Sequence, residues 1–396
     1  MIFKSLKHGR QPFQFKGVHL TRIVNKIVLF SNFLLSLFEF LLGFVCLHTF
    51  GYFGKKKSYN NGIKKILICR NKYYSSNTFD DSTEKHMVDI PLKKTGLDIR
   101  VFYWDYGQRI IGYQASLIKL LFKFQPDVVI FSSYTINFVK RPPSHLGLFL
   151  LRSIQKKVKA CYLTIWYDVA TPDFMVKQLL PTLDLFDLHL VGASINQDKD
   201  LELIPKTEKS KLLEIDLPYP EEIFFPRKKD IEVVFLGQIT SYRSNRRDYI
   251  FHLMKNIIPG FFSGFERESQ PSYQEYQEIL GRAKIGLNFS ESSLGHQIKG
   301  RMFETMLSGA LLLESKSPHS ISYFIDGIDY ISFNSKDDLI DKIRYYLAHD
   351  DERKEIASNG RNKILTQYSG EIVWKGIIER CSYVQSRNHY SYKESV

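Results

Sequence analysis

The sequence predicts two α/β domains in tandem, each an open parallel sheet with helices on both faces. They would face each other across a cleft, behind a hydrophobic helical extension at the N-terminus. Three observations predict this. Short apolar runs alternate with helix-length periodic stretches along most of the 396 residues. The alternation stops at one Pro-rich connection and then restarts. The first 57 residues follow a different pattern, basic residues flanking one long apolar run. A chain this long exceeds one ordinary core, and its apolar and charged fractions, 44% and 24%, are those of a folded protein.

The extension comes first. Residues 1–57 hold nine Lys/Arg against one acid, Glu39, so they carry +8 of the net +13 and leave +5 for the rest. This charge flanks the run "IVLFSNFLLSLFEFLLGFVCLHTFGYF", Ile27–Phe53, a membrane pattern rather than a nucleic-acid-binding one. The run exceeds the ~20 residues of a span and lacks the small-residue cleavage site of a signal peptide. At 100° per residue Arg22, Asn25, Asn32, Ser36, Glu39 and Gly43 fall near one side. Such a stripe suits a span packed on a partner, a helix in the membrane interface, or an amphipathic helix docked on this protein's own body. Membrane association through residues 18–53, peripheral or single-pass, at a cytoplasmic face is the expectation.

From "KKILICR" (Lys64–Arg70) the strands follow in order: "LDIRVFYW" (Leu97–Trp104), "PDVVIFSS" (Pro126–Ser133), "ACYLTIWYD" (Ala160–Asp168) and "FDLHLVGAS" (Phe186–Ser194). Helical stretches such as "YQASLIKLLFKF" and "LGLFLLRSIQKK" separate them, which makes the sheet parallel and buried on both faces. This gives a Rossmann-like domain over 58–222. The connection "LPYPEEIFFPRKKD" (Leu217–Asp230) marks the boundary. A second Rossmann-like domain over 228–370 starts with "IEVVFLGQ" and continues through "AKIGLNFS" and "ALLLES"; a C-terminal helix and tail occupy 371–396. The four cysteines show no CxxC spacing. Cys69 and Cys161, in strand-like runs, read as buried thiols of a reducing compartment.

Ligands of open α/β sheets bind beyond the strand carboxyl ends, against helix N-termini. "GLNFS", ending in Ser290, is a strand; "ESSLGHQIKG" is the loop beyond it; "RMFETMLSG" is the next helix. Lys299 and Arg301 stand at the helix mouth, where free N–H groups already favour an anion, with a diphosphate as the natural guest. Glu304, three residues further on, is placed to accept from ribose hydroxyls. The spacing alone equally suits a weak surface pair between Arg301 and Glu304.

"GHQIKGRMFETMLSGALLLES", followed by "DDLIDKIRYYLAHDDERKEIASNGR", resembles the C-terminal domain of GT-B-fold glycosyltransferases, in the glycosyl transferases group 1 branch related to the spore-maturation protein CgeB. "IEVVFLGQ…RSNRRDYI" and "SYQEYQEILGRAKIGLNFS" match earlier blocks of that family in the same order, so the resemblance spans Ile231–Tyr368. It implies an enzyme that transfers a sugar from a nucleotide-diphosphate-sugar donor to a glycan, lipid-linked or surface-polymer acceptor, as in polysaccharide biosynthesis. It further implies that Glu304 contacts the ribose and that Gly237 lets the backbone approach the donor. Arg243, Arg246, Lys299 and Arg301 would neutralise the diphosphate in place of a metal, so no cofactor or divalent ion is expected. Many retaining relatives carry a second glutamate eight residues before the F-E glutamate. His296 stands there instead, which leaves His296 or Gln297 to contact the sugar.

On the other side of the cleft Asp168, ending "CYLTIWYD", suits a general base toward the acceptor, and equally a helix N-cap. Ser132 and Ser133 are further loop-tip candidates. The Asp198-Lys199-Asp200 triplet reads as a solvated loop, and His86, His189 and His252 receive no role. Two other readings remain open: a non-catalytic scaffold that kept the fold, and another nucleotide-sugar enzyme such as an epimerase.

Overall fold

A computed structural model describes residues 34, 37–50, 62–72, 84–104, 112–132, 148–167, 178–192, 203–214, 221–239, 244–263, 271–292, 295–296, 298, 300–317 and 320–393. Two sheets organise them. In the first, β1 (Lys65–Arg70), β2 (Asp98–Tyr103), β3 (Val128–Ser132), β4 (Cys161–Trp166), β5 (Leu188–Val191) and β6 (Leu212–Glu214) lie in the order β2-β1-β3-β4-β5-β6. All pairs are parallel. β3 and β4 are buried along their whole length, which is why they read as unbroken apolar runs rather than alternating ones.

α2 (Ile90–Lys94) lies between β1 and β2, and the longer crossovers are helical because their apolar residues recur at helical spacing. In α3 (Tyr113–Phe124), Tyr113, Leu117, Ile118, Leu121 and Phe124 all face the core. Gln125 ends α3 in the left-handed region, its N–H bonded to the Leu121 carbonyl at 2.9 Å. α4 (Leu148–Lys157) covers the same face, with Leu150, Leu151 and Ile154 in that core.

The second sheet contains β7 (Ile231–Phe235), β8 (Gly260–Phe262), β9 (Ala283–Asn288), β12 (Leu311–Ser315) and β13 (Ile331–Phe333), in the order β13-β12-β9-β7-β8. These pairs are parallel too. A two-residue antiparallel hairpin, β10 (Glu291–Ser292) with β11 (Gly295–His296), stands in the loop beyond β9. Its covering helices include α5 (Ser244–Lys255), α6 (Tyr273–Arg282) and α7 (Gly300–Leu307), then α8 (Ser320–Tyr323), α9 (Lys336–Ala348) and α10 (Asp350–Gln367). A capping box starts α6. The Glu275 N–H donates to the Ser272 hydroxyl at 3.3 Å, and the Ser272 N–H returns to the Glu275 carboxylate at 2.8 Å.

The last helix, α11 (Gly370–Lys393), crosses back to the first domain. Trp374, Ile377 and Cys381 are buried with Ile68, Ile130, Cys161 and Leu163, and the Trp374 indole N–H donates to the Met87 carbonyl at 2.8 Å. Near the N-terminus, α1 (residues 37–50) lies on α3 and α4, with Leu47 in their core. Of the segment Ile27–Phe53, residues 27–33, 35–36 and 51–53 lie outside the described residues. No helix among the described residues is long and apolar enough to cross a membrane. Cys69 and Cys161 are buried and form no disulfide among the described residues.

Candidate active site

Three of the residues singled out from the sequence meet at the carboxyl ends of β7 and β9. Gly237 follows β7, and a Cβ there would lie 2.3 Å from Nη2 of Arg301. The glycine is therefore required because the Arg301 guanidinium occupies the space a side chain would need. From α7, Arg301 reaches across the strand ends. Its Nη1 donates to Asn288 Oδ1 at 3.1 Å, and its Cζ stands 5.1 Å from the Phe235 ring centroid. The Arg301 Nε–H is buried without a hydrogen-bond partner.

Arg301 is itself supported from behind. The Asn288 amide donates at 2.5 Å to Glu314, a fully buried carboxylate at the end of β12. Glu314 also accepts the Ser290 N–H at 2.9 Å. Burial raises the Glu314 carboxyl above its ordinary range, opposed by these donors. A chain of carboxylate, amide and guanidinium thus sets the height of Arg301 above the sheet. The sequence reading passed over Asn288 and Glu314. The only signal was a polar residue closing each of two otherwise apolar strands, which matters once the strands are known to be neighbours.

Glu304, on the same helix, is 8% exposed and accepts a hydrogen bond from the Tyr276 hydroxyl. The two helix residues thus have separate partners instead of forming a surface pair. Burial pushes the Glu304 carboxyl up to about 7, against the Tyr276 hydroxyl and the Arg301 charge, which pull it down. It therefore titrates near neutrality, and a donor that favours its ionised form gains from replacing the solvation it lacks.

Other expected residues lie elsewhere. Arg246 is 1% exposed and donates to the Phe289 carbonyl at 2.7 Å, so its guanidinium braces the chain just beyond β9 from inside the domain. Ser290 contributes its backbone N–H to Glu314. The backbone of His296 forms β11 opposite Glu291, while its side chain falls outside the described residues. Arg243, Gln297, Lys299 and Asp168 also lie outside them, as do Ser133 and the Asp198-Lys199-Asp200 triplet. Among the described residues no cluster of His, Cys, Asp and Glu could hold a metal ion.

The first sheet has a polar cluster of its own. Strand order reverses between β1 and β3, the position where such sheets open a crevice. Arg70 ends β1 and pairs with Asp89, Nη2 to Oδ2 at 2.6 Å, with both side chains buried. Glu84 lies beside them near Ser132, the last residue of β3, and burial pushes its carboxyl up to about 7. One Glu84 oxygen, Oε1, is buried without a hydrogen-bond partner. Sequence reading missed Glu84 because it lies outside every periodic stretch. His189 is buried, accepts the Trp166 indole N–H at 3.2 Å and is driven down to about 3 by burial, so it is a neutral core residue. His252 faces Asp337 at the surface.

Residues 227–378 match the family described as Glycosyl transferase-like. No curated protein matches the chain in sequence. Among solved structures, a glycosyltransferase from Rickettsia africae superposes with a TM-score of 0.52 at 13% identity, over 82% of this chain and 99% of that one. HepE from Anabaena, solved with UDP and glucose, superposes with a TM-score of 0.50 at 10% identity, over 81% of this chain and 99% of that one. At such identities the likeness is one of fold. The chain has the GT-B fold, two parallel-sheet α/β domains, and its C-terminal domain is similar to the glycosyl transferase-like family over residues 227–378.

Proposed function

We propose that this protein is a glycosyltransferase that takes a sugar from a nucleotide-diphosphate-sugar and needs no divalent cation. The observation that carries the reading is Arg301, held over Gly237 by Asn288 and Glu314, with Glu304 beside it on α7. The sugar's bond to the diphosphate breaks with its electron pair leaving on phosphate oxygen. A fixed guanidinium at a helix N-terminus stabilises that charge without reorganisation. Glu304 accepts from the ribose hydroxyls, and Lys299 and Arg243 add positive charge from the surrounding loops. Binding of UDP and glucose by HepE makes UDP-sugars the first donors to test.

The acceptor, a glycan, lipid-linked saccharide or surface polymer, would enter against the first sheet, where Glu84 and Asp168 are the candidate carboxylates for its hydroxyl. The free cysteines suit a reducing compartment, and we place the reaction on the cytoplasmic side.

The test is calorimetric binding and turnover of a panel of nucleotide sugars by the full chain, with and without EDTA, beside Arg301→Ala and Glu84→Gln. One donor should bind, unaffected by EDTA. Arg301→Ala should lower kcat/KM at least about a hundredfold, as loss of one oriented donor does. Glu84→Gln should keep donor affinity and lower turnover. A folded protein that binds no donor would leave the scaffold reading, and interconversion of donor sugars without transfer would leave the epimerase.

A further inference from the structure

The two sides of α1 have opposite character. Its inner side is fastened to the first domain. The Glu39 carboxylate accepts the N–H groups of Gly112 and, at 3.3 Å, Gln114 at the start of α3, an acid capping a helix N-terminus. At Gly43 a Cβ would lie 2.9 Å from the Leu150 side chain and 3.3 Å from that of Gln114, so the glycine lets both side chains pack directly on the helix backbone. Leu47 is buried in the core, and Phe50 stacks on Phe122 with centroids 6.4 Å apart. At 100° per residue, Glu39, Gly43, Leu47 and Phe50 share one side of the helix.

The opposite side carries Leu37, Phe38, Leu41, Phe44 and Val45, each 37–60% exposed. No charged side chain interrupts this row. Five large apolar residues on one docked helix form a patch that single scattered surface residues do not. The charge of the sequence that flanks it says what covers it. Of the ten Lys, Arg, Asp and Glu residues in 1–57, nine are basic, and the one acid, Glu39, is buried on the inner side. A protein partner with an apolar face does not require that bias, whereas anionic headgroups above an acyl layer do.

We propose that α1 is an in-plane membrane-docking helix: its inner side locks it to the first domain, and its outer row enters the interface of an anionic bilayer. It rides on the folded body and does not span. Because Glu39 caps α3, which follows β2, that end of α1 sits at the carboxyl ends of the first sheet, the side facing the cleft. If the glycosyl-transfer reading holds, a lipid-linked acceptor in the same bilayer is brought to the side where its hydroxyl is needed.

The experiment is co-sedimentation of the full chain with phosphatidylcholine vesicles, with and without phosphatidylglycerol, and does not depend on activity. The wild type should pellet with the anionic vesicles, weaken as salt rises, and be released by an alkaline carbonate wash. Phe38→Ser/Leu41→Ser should lose at least tenfold in vesicle affinity at unchanged melting temperature, since both residues lie on the outer side. Equal binding by that variant, absence of binding to either vesicle, or retention through the carbonate wash would each overturn the proposal. A concentration-dependent dimer that the double variant abolishes would overturn it too, by assigning the face to a second copy.

Discussion

Replacing Glu304 by Gln keeps the shape and the Tyr276 contact but removes the titration. Burial holds the wild-type carboxyl at about 7. Ribose hydroxyls donate to the ionised form, so binding competence follows its population. At pH 6 about one molecule in eleven is ionised and at pH 8 about ten in eleven, which makes nucleotide affinity about tenfold tighter at the higher pH, ~1.4 kcal/mol. The free diphosphate also titrates, but that contribution is common to both proteins and cancels in their difference. Calorimetry of the preferred nucleoside diphosphate at pH 6, 7 and 8 reads the effect directly. The wild-type curve should rise above that of Glu304→Gln by about tenfold over the range. Parallel curves would refute both the elevated carboxyl and its contact with the nucleotide. The stability sign is opposite. A carboxyl raised by burial contributes stability that is fully present below about pH 4.5 and is lost as pH rises through 7. Urea unfolding should therefore show wild type losing about 3 kcal/mol over that window relative to Glu304→Gln.

Two further outcomes follow from packing. Gly237→Ala puts a methyl group into the Arg301 guanidinium, the far end of a flexible side chain, so unfolding free energy should change by less than about 1 kcal/mol while donor turnover falls more than about tenfold. Equal loss of both would mean the glycine serves the fold alone. Trp374→Ala empties a fully buried site and leaves the Met87 carbonyl without its donor, and should cost about 3–5 kcal/mol in urea unfolding. A loss under about 1 kcal/mol would show that α11 is only loosely applied to the first domain.

The site was legible in the sequence to the extent that it is local. Arg301 and Glu304 are three residues apart at the start of one amphipathic helix, and Gly237 follows one apolar strand, so pattern and resemblance reached all three. The burial of Arg246 was not legible: pattern places a basic residue in the loop-helix stretch but cannot show that its guanidinium reaches the Phe289 carbonyl. Asn288, Glu314 and Tyr276 were beyond reach, since their roles arise only when strands and helices far apart in sequence become neighbours.

Periodicity and composition are enough for the alternation of strands and helices, the parallel character of both sheets, the break between them and the basic residues flanking an apolar run in the first 57 residues. Both act over a few residues at a time. Tertiary structure alone decided which strand ends converge, that Glu84 joins Arg70 and Asp89 where strand order reverses, and that α11 returns to lie 287 residues from its hydrogen-bond partner. It also decided which side of α1 is covered. Both sides are rich in apolar residues, and the contacts of Glu39 with the N-terminus of α3, of Gly43 with Leu150, and of Leu47 with the core select the inner one.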